Sequence, residues 1–309
     1  MPQGSVATSK QLSNILLKYE NSEYIFPKIM KDVPVTKDAG YYWVFNKNFR
    51  LEESERANGA PANMATWDAS TASYNVREHA LKDVITETDI DNADSVFDLR
   101  ADTVEFLADK IMMRQEKMVS DLLFTTTSFS NNATLNTASS WNYNTTTSAP
   151  IQNVLSATAV ILAQSGKRPN VMATNFAVFA ALKENQNVYN RLAYTKDKLI
   201  TEQILASVFD VSNFYVGAAV YETNKEGESA TYSSIIPSDV LVGYFEGTPG
   251  MKKVTTANMF RVKKKGSPYR VKNWRDENIE GEYIECQTKA VPKVVASLCA
   301  YLFKTAALI

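Results

Sequence analysis

Apolar residues recur at steps of three and four along residues 94–124, a stretch with neither Gly nor Pro. Phe97, Ala101, Val104, Leu107, Ala108, Ile111, Met118 and Leu122 fall on one helical face, with Gln115 alone interrupting them. About thirty residues at ~1.5 Å each make a rod of roughly 45 Å, where an ordinary helix runs to about 11–12 residues. Ser95 and Asp98 have capping-box-like spacing, with Asp in place of the usual Glu. Asp98, Asp102, Glu105 and Asp109 precede Lys110, Arg114 and Lys117, the charge order that the helix dipole favours. The rest of the chain is expected to hang from this rod. Val104, Leu107, Ile111 and Leu122 are its expected contacts to the apolar strands that close the sequence.

Before the rod, a short amphipathic patch at Leu12, Ile15, Leu16 and Tyr19 leads to the breakers Pro27 and Pro34, which predicts an extended arm. Residues 41–45 are aromatic and β-branched and predict a strand; residues 73–86 predict its long return. The loop between, 46–72, is polar and turns at Asn58-Gly59. A two-stranded ribbon with such a tip finds little to bury against in its own chain, and isolated hairpins are marginal in water, so it is expected to pack on another molecule.

After the rod, residues 125–148 are nearly all Thr, Ser and Asn and predict a surface loop or small hairpin. Helices are expected at 149–164, ended by Ser165-Gly166, then at 176–182 and at 200–209, the last capped by Thr201 or the residue before it. Strands are expected at 170–173, 214–221, 240–245, 259–264, 269–274, 282–286 and 294–303, the last two lying around Pro292. The mixture predicts an α+β protein.

Composition narrows the function. The chain has 309 residues, enough for about two domains, and is 45% hydrophobic and 22% charged. A net charge of −1 does not suit a protein that coats nucleic acid, so any such contact must be local. Two cysteines, Cys286 and Cys299, lack CxxC spacing and suggest neither a disulfide framework nor a zinc site. No apolar run is long enough to span a membrane and residues 1–18 lack a signal-peptide core, so synthesis and use in cytoplasm are expected.

Catalytic chemistry has no foothold. His79, the single histidine, has no orienting partner nearby in sequence and reads as structural. Ser165-Gly166-Lys167-Arg168 lacks the first Gly and the final Ser or Thr of a phosphate loop. Glu87, Asp89, Asp91 and Asp94 depart from the calcium-loop pattern and suit helix-start acids instead. Lys252, Lys253, Arg261, Lys263, Lys264, Lys265, Arg270, Lys272 and Arg275 form a basic stretch without clustered stacking aromatics, which reads as a solvated face. GxSxG, HExxH and GxGxxG are absent, so no enzyme, metal or cofactor is indicated.

The order of these pieces resembles a known family. Gly166-Lys167-Arg168-Pro169-Asn170, Leu182, Arg191, Ile200-Thr201-Glu202, Val208-Phe209 and Val216-Gly217-Ala218-Ala219 resemble a pattern of the major capsid proteins of tailed bacteriophages. Trp274-Arg275-Asp276-Glu277, Gly281-x-Tyr283-Ile284 and Val291-Pro292-Lys293-Val294 resemble the closing strands of coat proteins of the lambda E type. The motifs cover roughly residues 150–309, and ribbon and rod extend the likeness to about residue 40.

The resemblance implies the Hong Kong 97 capsid fold. Its parts would be an N-terminal arm (1–32), an extended E-loop ribbon (33–93), a spine helix with a polar insertion in a peripheral domain (94–148), an axial domain (149–254) and closing peripheral strands (255–309). Such subunits form hexamers and pentamers of an icosahedral head around packaged double-stranded DNA. Arg50, Glu52, Glu53, Glu55, Arg56 and Trp67 would meet a neighbouring subunit through the ribbon, and Lys263 and Arg270 would touch DNA weakly and without sequence preference. The implied location is the virion, assembled in host cytoplasm. A portal and a separate scaffolding protein, or a scaffolding segment already removed, are implied as partners. No cross-linking Lys and Asn pair can be assigned. Two alternatives stand beside this: an encapsulin-like cellular shell, told apart by what its particles contain, and a soluble α/β enzyme, which would need the convergent site that the sequence lacks.

Overall fold

The rod is a helix, Leu99–Leu123, of 25 residues, about 37 Å long. The computed structural model describes residues 7–8, 23–45, 51, 53–56, 58–59, 61–64, 69–92, 98–136, 139–142, 148–192, 200–225, 227–248, 250, 253–263 and 268–307. Ser95, Phe97 and the patch at Leu12–Tyr19 lie outside them. Asp98 is itself the N-cap, its carboxylate accepting the Ala101 N–H at 3.2 Å.

The helix is buried at Val104, Leu107, Ala108, Ile111, Met112, Gln115, Glu116, Val119, Ser120 and Leu123. That stripe keeps its three-and-four spacing to the end and corrects the expected one. Leu122 and Met118 are only half-buried, because each stands about 100° off a buried neighbour; Leu123 and Val119 take the core positions. Gln115 belongs to the buried face rather than interrupting it.

The helix bridges two sheets. Its first half packs Val104, Leu107, Ala108 and Ile111 against Ile85, Val271, Ile284 and Cys286 of a six-stranded sheet. The central strand there, Gly281–Val294, pairs along one edge with the return strand Arg77–Thr86. Along the other it meets Tyr269–Asp276 and then Ala257–Val262. The arm adds Asp32–Val35, parallel to Ala257–Val262, and Ala7–Thr8 beside Tyr269–Asp276. Gly281 is required at the close approach of the return strand: a Cβ there would lie 2.8 Å from the Ile85 carbonyl oxygen.

The second half of the helix packs Val119 and Leu123, with Phe26 and Ile29 of the arm, against Val171, Ala173, Leu241 and Leu302 on one face of a five-stranded sheet. Its strand order is Asn132–Thr134, Ala300–Lys304, Val240–Gly243, Val171–Asn175, Asn213–Gly217. Helices Pro150–Ser165, Phe176–Glu184, Gln186–Leu192 and Glu202–Val208 contribute to the core on the other face. Thr201 caps the last of them, its hydroxyl accepting the Ile204 N–H, and Gly166 ends the first at φ 64°. Lys304 closes the long helix, donating to the Phe124 carbonyl at 3.1 Å and pairing with Asp239 at 2.5 Å, a cation at the negative end of the dipole.

Four expectations change here. The return strand is two, Ala69–Asn75 and Arg77–Thr86, because the Val76 N–H turns aside to the Asp38 carbonyl. Residues 214–221 also divide, and Val220–Glu222 forms a hairpin with Tyr232–Ser234. The central strand runs through Pro292, and the chain then bends so that Ala300–Lys304 joins the five-stranded sheet instead of the closing strands beside the first half of the helix. The polar insertion is no mere surface loop: it supplies the strand Asn132–Thr134 and the fully buried Trp141, packed on Phe209 and Phe303.

Candidate assembly surfaces

The ribbon has an anchored root and an open tip. Ala39–Phe45 pairs antiparallel with Ala69–Asn75. The rings of Tyr42 and Tyr74 lie 5.1 and 4.9 Å from that of Phe260, and the Tyr42 hydroxyl donates to the Val294 carbonyl at 3.0 Å. Gly40 leaves room for this, since a Cβ would fall 2.6 Å from the Tyr74 hydroxyl oxygen. Val33, Val35, Val76, Val262 and Val295 complete the cluster. The expectation that the ribbon lacks support in its own chain is therefore corrected at the root.

At the tip, the described side chains lie open. Glu53, Glu55 and Arg56 are exposed, Leu51 is 97% and Met64 87% exposed, and Asn58-Gly59 turns with Gly59 at φ 83°. The tip has local order: the Glu53 carboxylate accepts the Glu55 N–H at 3.1 Å and Asn63 donates to the Glu53 carbonyl at 2.8 Å. Two apolar side chains held in water on an acidic loop offer a contact surface. Arg50, Glu52 and Trp67 lie outside the described residues.

Of the basic residues, Lys263 is exposed just beyond Ala257–Val262, and Arg270, half-buried, alternates with Val271 and so lies on the sheet face away from the long helix. Lys272 pairs with Glu285 at 2.8 Å, Lys253 with Glu246 at 3.7 Å, and Arg275 with Glu277 and Glu87. Arg261 is the correction in this stretch. Only 1% exposed, its guanidinium donates to Asp32 at 2.8 Å, Thr288 at 2.8 Å and Gln115 at 3.2 Å, with the Tyr269 ring at 4.9 Å. It joins arm, sheet and long helix.

At the residue after Gln115, Glu116 holds the arm again. Its carboxylate accepts the N–H groups of Phe26 at 2.9 Å and Ile25 at 3.3 Å. Burial pushes its pKa up to about 7, against those two N–H groups and the Lys28 ammonium, which favour the charged form. Tyr24 donates to Asp109 at 3.0 Å on the same helix. Gln115 and Glu116 went unrecognised in the sequence, although a polar residue inside an apolar stripe is the signal of a buried partner.

Among the described residues, the other titratable groups singled out by the sequence are held in structural roles. His79 lies opposite Thr288 in the sheet; burial first and then Arg114 lower its pKa, which keeps the ring neutral. Asp89 takes the N–H and hydroxyl of Thr86 at the start of helix Glu87–Asn92, a capping role. Cys286 and Cys299 are buried, and burial pushes the Cys286 thiol up to about 12, so neither is a nucleophile at neutral pH. Among the described residues, no three metal-ligating side chains gather and no helix is long and apolar enough to cross a membrane.

This arrangement has relatives. The major capsid protein of Burkholderia phage BcepMu is 26% identical over 262 residues, covering 83% of each chain. A phage-related protein of Bordetella bronchiseptica RB50 superposes with a TM-score of 0.80 at 20% identity over 99% of both chains. A putative prophage capsid protein of E. coli CFT073 gives a TM-score of 0.59 at 11% identity, over 97% of this chain and 99% of that one. Residues 55–298 match the family of phage major capsid protein E. The chain belongs to that family and has the Hong Kong 97-like fold of phage coat proteins.

Proposed function

We propose that this coat protein closes an icosahedral shell of hexamers and pentamers in which each ribbon lies across a neighbouring subunit. The observation that carries this is the contrast within the ribbon, a root fixed on Phe260 and a tip that leaves Leu51 and Met64 in water. Glu53, Glu55 and Arg56, with Arg50, Glu52 and Trp67, make the contact. Weak contacts summed over a closed shell become collectively strong.

Packaged double-stranded DNA is the proposed content, met non-specifically by residues such as Lys263 and Arg270, with the steep salt dependence of phosphate contacts. A portal and a scaffolding protein are the proposed partners, and assembly takes place in host cytoplasm. Within the subunit, arm, ribbon, peripheral and axial parts divide as the family likeness implies, with strands Asn132–Thr134 and Ala300–Lys304 counted with the axial sheet.

The test replaces residues 50–63 with a short Gly/Ser turn. Loop closure changes by only ~0.6 kcal/mol per doubling of length, so the shortened chain keeps its helical circular dichroism and cooperative melting. Sedimentation is expected to show no large particles. Particles of normal size and stability would sink the ribbon's role.

A further inference from the structure

An asparagine side chain is most open to attack by its own main chain where glycine follows it, because no side chain then shields the next amide nitrogen. Asn58-Gly59 is the one such pair in the sequence, and the fold sets it at the turn of the ribbon's tip. Both residues are exposed. Gly59 takes φ 83°, and a Cβ built on it would meet no described atom within 4 Å beyond its chain neighbours. The turn has room to rearrange around that nitrogen.

The same loop holds a contrast. Asn63 donates its side-chain amide to the Glu53 carbonyl at 2.8 Å, and the long side chain of Met64 follows it. Its amide must give up that bond, and pass a side chain, before it can meet the nitrogen of the next residue.

We infer that Asn58 is a modification site, deamidating spontaneously in the unassembled subunit. The Gly59 nitrogen gives up its proton and bonds to the Asn58 Cγ; the Cγ–Nδ2 bond breaks and ammonia leaves, closing a succinimide. Water then opens the ring. Attack at Cγ leaves aspartate, and attack at the main-chain carbonyl leaves isoaspartate, with the main chain rerouted through Cβ. Water is the only co-reactant. Either product adds one negative charge to a tip that already exposes Glu53 and Glu55, and isoaspartate also lengthens the turn. The restriction to unassembled subunits rests on the shell-forming reading above, in which a neighbour covers this tip and holds the turn still.

The test holds purified subunits at pH 8 and samples them with time. Trypsin releases residues 57–77, between Arg56 and Arg77, with Asn58, Asn63 and Asn75 on one peptide. Fragment masses place the lost amide, and an isoaspartyl methyltransferase counts isoaspartate by methyl transfer. Asn58 is expected to convert at least about tenfold faster than Asn63. Asn58→Gln, which would have to close a larger ring, is expected to lose the methyl-accepting signal. Conversion at Asn63 that matches Asn58, or a signal unchanged in Asn58→Gln, would overturn the inference and leave the shell reading intact. Particles assembled beforehand are expected to convert about tenfold more slowly than free subunits. Equal rates in the two forms would overturn the restriction to unassembled subunits. A chain that forms no particles would sink the shell reading instead, with Asn58 still judged on the free subunit.

Discussion

The two halves of the long helix hold their surroundings by different means. From Val104 to Ile111 the buried contact with the sheet is apolar, against Ile85, Val271, Ile284 and Cys286, and the exception is Asp109, which takes the Tyr24 hydroxyl of the arm. From Gln115 to Ser120 the same stripe carries three polar residues among its buried positions. Gln115 meets Arg261, Glu116 caps the arm, and the Ser120 hydroxyl donates to the Ile235 carbonyl at 2.7 Å. Apolar packing is tolerant of partners of similar size. A buried hydrogen bond is not, since a donor left without its acceptor costs about 1–3 kcal/mol. The first half thus supplies cohesion, and the second fixes where the arm and the strand Ala257–Val262 must lie.

The largest test of this difference is Ile111→Asp. The side chain is buried among apolar neighbours, and burying an unpaired carboxylate costs several kcal/mol against a total stability of about 5–15. The variant is expected in the insoluble fraction or without a cooperative melt. A soluble Ile111→Asp protein that melts like the wild type would show that the first half does not carry the sheet.

Arg261→Met comes next. Removing one member of a buried ion pair costs about 3–5 kcal/mol where the other is left buried. Here Asp32 is partly exposed and can return to water, which puts the loss near the lower end, at about 3 kcal/mol. Urea unfolding of the unassembled subunit measures it. Amide exchange is expected to rise first in Asp32–Val35, the strand that the guanidinium pins. An unchanged urea midpoint would mean that the seam adds nothing beyond packing.

These halves also differ in how far the sequence disclosed them. The apolar half was legible because periodicity reports burial when the buried residues are apolar. Gln115 looked like an interruption and Arg261 like one of many surface cations, since one-dimensional patterning has no means of pairing residues 146 positions apart. The parallel pairing of Asp32–Val35 with Ala257–Val262 is hidden for the same reason. At the end of the chain, residues 294–303 are apolar nearly throughout, and only Ser297 hints at the turn Ser297–Cys299 that sends Ala300–Lys304 into the other sheet. In the ribbon, the turn Asn58-Gly59 and the β-prone stems were readable, whereas the seat on Phe260 depends on tertiary contact.

The finest test concerns Glu116 and the pH. Its folded pKa of about 7 lies above the ordinary 4.5, so between those values the folded protein holds a proton that the unfolded chain has released. Stability must then fall as pH rises from about 4.5 to about 7 and level off above, where both states are ionised. At 1.36 kcal/mol per pKa unit the change from 4.5 to about 7 is about 3 kcal/mol. Other carboxylates also titrate in this range, and Glu116→Gln isolates the one in question. Glutamine has no proton to exchange, yet its amide oxygen can still accept from Phe26. Urea unfolding of both unassembled proteins at pH 5, 6, 7 and 8 gives the difference. The wild type is expected to lose ground to the variant from pH 5 to about 7 and to hold level from there to pH 8, with the Lys28 ammonium opposing the trend only weakly. A difference that stays constant with pH would mean that Glu116 is already ionised in the folded subunit at pH 5, and that its two N–H partners outweigh its burial.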